Sequence, residues 1–148
     1  MPLEFDPLST AVTDGNVTVI SIDPDATPNK VLELNQPWTG RVSWFIDGPG
    51  VAALAGTWEA RLFIESMGPQ AEQEVTPAIT KDLVTDLLAT STATHHEYQA
   101  DFPVPAGTPS EEGVYRITGL ITYTNPFGHR MAMAGFSEGQ MIQFYLPS

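Results

Sequence analysis

Apolar and polar residues alternate along most of this chain, the period of strands that bury one face and show the other to water. From Asn16 to Ile22 the pattern sets Val17 and Val19 against Thr18 and Ile20. Lys30 to Leu34 is shorter, with Leu32 and Leu34 on one side. Arg41 to Asp47 places Val42, Trp44 and Ile46 on one face and Arg41, Ser43 and Asp47 on the other. Thr57 to Ser66 repeats the pattern, with Trp58, Ala60, Leu62 and Ile64 against Glu59, Arg61, Phe63 and Glu65. Trp44 and Trp58 are thereby predicted core residues. His96 to Val104 reads as a further strand, and Val114 to Thr124 sets Tyr115, Ile117, Ile121 and Tyr123 against Arg116, Thr118 and Thr122. Gly119 interrupts that inner face where a bulge or a close backbone approach fits. The last predicted strand, Gln140 to Leu146, offers Ile142, Phe144 and Leu146 to one side.

Turn chemistry separates these runs. Asp23-Pro24-Asp25, Asp47-Gly48-Pro49-Gly50, Met67-Gly68-Pro69, Pro105-Ala106-Gly107 and Asn125-Pro126-Phe127-Gly128 combine glycine's freedom at positive φ with proline's fixed negative φ. One stretch departs from period two. Thr76-Pro77 followed by Ile79, Leu83, Val84, Leu87 and Leu88 has helical spacing, with Thr76 placed to cap and Pro77 in the first turn. The run Thr90 to Thr94 favours extended chain. The expected fold is therefore an all-β antiparallel sandwich of about seven to eight strands. One short crossover helix is expected near 77–89, and residues 1–148 form one domain.

Glu111-Glu112-Gly113-Val114-Tyr115 is an acidic-x-Gly-x-Tyr run that opens a strand just after a Pro/Gly turn. It resembles the tyrosine corner of immunoglobulin-like sandwiches, in which a tyrosine at the start of strand F returns its hydroxyl to backbone a few residues upstream. Antibody domains carry cysteine two positions on. Ile117 stands there, so the resemblance is to disulfide-free relatives such as fibronectin type III modules, over about Tyr98 to Tyr145. It implies a structural role for Tyr115, with Trp44 or Trp58 as the core tryptophan facing it. The fold alone carries no function.

Composition then narrows the chemistry. Eighteen acidic residues against six basic ones leave a net charge of -12 in 148 residues, which repels phosphate backbones and anionic headgroups. Neither nucleic acid nor membrane insertion is expected, since no apolar run approaches the ~18 residues of a spanning helix. The absence of cysteine excludes disulfides, thiolate metal sites and cysteine nucleophiles. Met1 to Asp6 has neither a basic nor an apolar leader region, so with Met1 as the true start the expected compartment is the cytoplasm, or export as part of an assembly.

Few residues suggest chemistry of their own. Gly135-Phe136-Ser137-Glu138-Gly139 matches the Gly-x-Ser-x-Gly elbow of α/β-hydrolases. That elbow needs a helix and then a histidine downstream, whereas nine strand-like residues without histidine follow, so a hairpin or bulge turn is the better reading. His95, His96 and His129 are poor metal ligands, because neighbours on a strand point to opposite faces. Asp23 and Asp25, and the pair Glu111 and Glu112, supply oxygen ligands of the kind calcium takes, without an EF-hand spacing. Trp38, Phe45, Phe63, Phe127 and Phe136 are the candidate contact residues. Phe45 and Phe63 sit on polar strand faces, and the other three in or beside turns.

No carboxylate pair stands out for acid–base work, and short loops leave little room for an enclosed pocket. The expectation is a non-catalytic module, without cofactor, that works through protein partners or self-association as part of a larger assembly. A ligand-binding module, for carbohydrate and calcium-assisted, is the alternative. Arg41, Arg61 and Arg116 mark the polar strand faces while acids crowd the turns, so a partner docking at the loop ends should be basic or bring cations, and its binding should weaken with salt.

Overall fold

The computed structural model describes residues 2, 4, 5, 11–68 and 72–147. Most of the Met1 to Asp6 leader reading, and Pro69 of the Met67-Gly68-Pro69 turn, lie outside these residues. Ten strands are described: β1 (Glu4–Phe5), β2 (Asp14–Ile22), β3 (Val31–Glu33), β4 (Trp38–Asp47), β5 (Thr57–Ser66), β6 (Gln73–Glu74), β7 (Ile79–Asp82), β8 (His95–Val104), β9 (Gly113–Thr124) and β10 (Arg130–Tyr145). The alternation read from the sequence is realised in burial. In β4 and β5 every second side chain is buried, from Trp38 to Ile46 and from Trp58 to Ile64.

Two sheets face each other. The smaller is antiparallel, in the order β2-β4-β8. The larger runs β1-β10-β9-β5-β6, with β7 also on β5 and β3 also on β10. The β3–β10 pairing is parallel, a departure from an all-antiparallel sandwich. Between the sheets, Val17, Val42, Ile46 and Phe102 meet Leu62, Ile64, Ile117, Ile121 and Ile142 in one hydrophobic core. The sheets approach closely at Gly119, whose register with Leu62 and Ser137 is unbroken; an added Cβ would lie 3.0 Å from Val42. Close approach, and not a bulge, explains that glycine.

One end of the core is aromatic. Trp44 stacks on Tyr98 at 5.8 Å, and Trp58 packs against Trp44 at 6.0 Å and Tyr123 at 5.6 Å. Each buried tyrosine returns its hydroxyl to a loop carbonyl: Tyr98 to Leu83 at 2.8 Å, Tyr123 to Ala55, and Tyr115 to Glu111, four residues upstream, at 2.9 Å. These bonds satisfy phenols that would otherwise be stranded in the interior. Burial pushes the Tyr98 phenol up to about 12.

Three expectations need correction. No helix forms over 77–89. Residues Ile79–Asp82 pair with Thr57 to Ala60 on the edge of β5, and the Asp82 carboxylate then accepts the N–H groups of Val84 and Thr85 in a turn. A short segment carrying Ile79, Thr80, Val84 and Thr85 makes a marginal helix, and an unpaired strand edge offers it a ladder instead. Thr90 to Thr94 is folded into turns closed by a Thr92–His95 bridge, not extended. The last strand begins ten residues earlier than read, at Arg130, because the β-bulge between Glu138 and Met141 breaks the alternation there. Leu146 lies beyond its end and is exposed, so it is not an inward residue.

Candidate interaction surface

The five candidate contact residues do not share one site. Trp38, just after the turn at 34–36, opens β4, faces inward at 3% exposure, donates its indole N–H to the Thr108 carbonyl at 2.8 Å and packs on Phe144. It closes one end of the core, which removes it as a contact platform. Phe127 is 86% exposed at the tip of the β9–β10 hairpin, where the Asn125 side chain accepts the N–H groups of Phe127 and His129. Phe45 is half-buried on the outer face of the small sheet. Phe63 and Phe136 are the two that the fold brings to a common face, the outer side of the large sheet.

That face is built by the register of β5, β9 and β10. Phe136 pairs with Leu120, and Leu120 with Arg61; one step along, Glu138 pairs with Thr118 and Thr118 with Phe63. Phe63 is thus the diagonal neighbour of Leu120, within reach for large side chains. Met141, opposite Arg116, and Val114, opposite Gln143, lie further along β10 and β9 on the same side, past Glu138 and Thr118; Phe136, Met141 and Val114 are all exposed. The charges among them are paired. Arg61 bonds Glu59 and Glu74, both at 2.9 Å; Arg116 reaches Glu138 at 3.3 Å, and Arg130 reaches Glu59 at 3.7 Å.

The outer face of the small sheet is different. His95 lies beside Phe45, ring centroids 4.9 Å apart, and between two carboxylates, bonding Asp47 through Nδ1 and Glu97 through Nε2 at 2.7 Å. Hydrogen bonds to Glu97 and then Asp47 raise the imidazole above its ordinary pKa. Bonds from Thr90 and His95 hold Glu97 below the usual carboxylate range. His96, on the opposite face, is buried, and desolvation lowers its pKa. An open groove of about 330 Å³ beside Phe45 is lined by Asn16, Thr18, Ser43, Leu88 and Glu97.

Two of the four calcium candidates, Asp23 and Glu112, have carboxylates bonded within the loops. The Asp23 carboxylate accepts the N–H groups of Asp25 and Thr27 and the Asn29 amide, and Glu112 accepts the N–H of Leu146. Among the described residues no group of three or more histidines and carboxylates could hold a metal ion. Ser137 of the Gly-x-Ser-x-Gly run is buried inside β10, and Gly139 sits at the bulge, where a Cβ would come within 2.7 Å of Val19 and Ile117. That run is a packing device. Leu120, Met141 and Val114 were not among the contact residues read from the sequence. Period two points Leu120 and Val114 outward, but only the strand register shows that they share a side with Phe136.

No protein-family model matches the chain, and no curated protein matches it. Solved structures do. A CARDB domain from Pyrococcus furiosus, solved in complex with di-metal ions, aligns at a TM-score of 0.52 and 13% identity, over 94% of this chain and 99% of that one. The shared fold is a β-sandwich. A β-glucosidase from Erythrobacter marinus aligns equally well, at 0.52 and 12% identity over 88% of this chain, which spans 15% of the enzyme. At these identities the likeness concerns architecture only. No described helix is long and apolar enough to cross a membrane.

Proposed function

We propose that this chain is a non-catalytic, immunoglobulin-like β-sandwich module that works through protein contacts, as a subunit or accessory of a larger assembly. The observation that carries the reading is the outer face of the large sheet, where exposed Phe136, Met141 and Val114 share one side with half-buried Leu120 and Phe63, among paired charges. At 43–44% exposure, Phe136, Met141 and Val114 each forgo less than half of the about 1.5–3 kcal/mol that full burial of such a side chain gives. Several large, partly exposed apolar side chains gathered on one sheet face among paired charges favour a contact surface. Catalysis has little support by comparison. The hydrolase-like serine is locked in a strand, and the grooves are open to solvent.

The ligand-binding alternative would use the open groove beside Phe45. Labelled protein on a glycan array, alongside a Phe45→Ala variant, separates the two readings. The contact-module reading predicts no saturable glycan binding by either. Saturable binding that Phe45→Ala abolishes would replace it with the ligand-binding one.

A further inference from the structure

We infer that the outer face of β5, β9 and β10 is the surface on which a second copy of this chain docks, an inference that rests on the contact-module reading and names its partner. The argument is one of charge. The chain carries -12, so two copies repel, and most of the surface is closed to self-contact at low salt. This face is the exception. It holds Arg61, Arg116 and Arg130 against Glu59, Glu65, Glu74 and Glu138, one charge short of balance, and ion pairs tie the arginines to three of those glutamates. Half the basic residues of the molecule are here, so almost the whole deficit lies elsewhere.

A basic partner drawn by the field of the molecule would be steered to the acidic loops, away from a balanced face. What suits a face of large apolar side chains interleaved with paired charges is a surface of the same kind, and a second copy supplies it. Rotation about a two-fold axis lays each Phe136 against the Leu120–Phe63 side of the other copy, the self-complementary arrangement of an isologous dimer. The size suits a weak dimer: three strand positions at about 4.8 Å and ten residues at about 3.3 Å span on the order of 500 Å², below the ~800 Å² that each partner of a standard interface contributes, so association is expected to depend on concentration.

Sedimentation velocity from 1 to 500 µM, at low and at high sodium chloride, tests this. The expected result is a concentration-dependent dimer that tightens with salt, because screening relieves the repulsion between two anionic chains. Phe136→Glu and Met141→Glu, both at solvent-facing positions, should each weaken dimerisation at least tenfold with unchanged thermal melting. Phe45→Glu on the other sheet should leave it intact. A monomer at every concentration and salt, or a dimer indifferent to both face variants, overturns the inference. A monomer leaves the contact-module reading standing with a different protein partner, whereas glycan binding through Phe45 removes that reading as well.

Discussion

Gly119→Ala is the sharpest probe of how the two sheets meet. The added methyl would lie 3.0 and 3.2 Å from the two Val42 methyl carbons and 3.3 Å from the Val19 Cβ. Val42 is fully buried and stiff about χ1, so it has little freedom to move aside. Overpacking of this kind costs about 1–3 kcal/mol. Against it stands the lower conformational entropy of an unfolded chain without that glycine, which returns about 0.4–1 kcal/mol. The net expectation is a loss of about 1–2 kcal/mol, or about 2–8 °C in Tm for a chain of this length. Urea unfolding followed by tryptophan fluorescence measures it directly. Val42→Ala opens the space, so the double variant should be more stable than the sum of the single losses implies, by about 1 kcal/mol. A Gly119→Ala protein as stable as the parent, or more so, would refute the close approach.

Other predictions concern single groups. Tyr115→Phe removes the bond to the Glu111 carbonyl and should cost about 1 kcal/mol, read in the same unfolding assay; an unchanged curve would separate the hydroxyl from the fold's stability. Trp38→Ala should cost about 3–5 kcal/mol, as for a buried aromatic residue. Phe127→Ala, at the exposed hairpin tip, should stay within about 0.5 kcal/mol of the parent. His95, with its pKa raised in the folded state, contributes stability that is complete below about 6.5 and lost as pH rises through the folded value. His96, with its pKa lowered, acts on the other side: its penalty grows as pH falls below about 6.5. Unfolding free energy measured from pH 5 to 9 should therefore lose its alkaline decline in His95→Gln and part of its acid decline in His96→Gln.

Much of this architecture was legible in the sequence, for a physical reason. Where one face of a strand is buried and the other solvated, side-chain alternation reports the face, and Val42, Trp44, Trp58, Leu62, Ile117 and Phe144 were read correctly from it. The misreadings fall where another influence competes with the pattern. Ile79 to Asp82 carries helical spacing, yet the open edge of β5 decides its state. The bulge at Glu138 to Met141 shifts the parity of β10, which hid the first ten residues of that strand. Trp38 sits beside Pro37, and only the strand that follows shows that it turns inward. The candidate surface was half legible. Phe63 stands out as an aromatic residue at a polar strand position, whereas Phe136 reads as a turn residue and lies inside β10; their neighbourhood with Leu120, and the Asp47–His95 contact, depend on strand pairings that no local pattern encodes.

Hydroxyl-radical footprinting of the wild-type chain at low and high protein concentration bears most directly on the role of the large sheet as a contact surface. Phe136 and Met141 should lose reactivity as concentration rises, while Phe127, at the hairpin tip, keeps it. Equal reactivity of Phe136 and Met141 at both concentrations, or protection centred on Phe45 and the small sheet, would contradict the account.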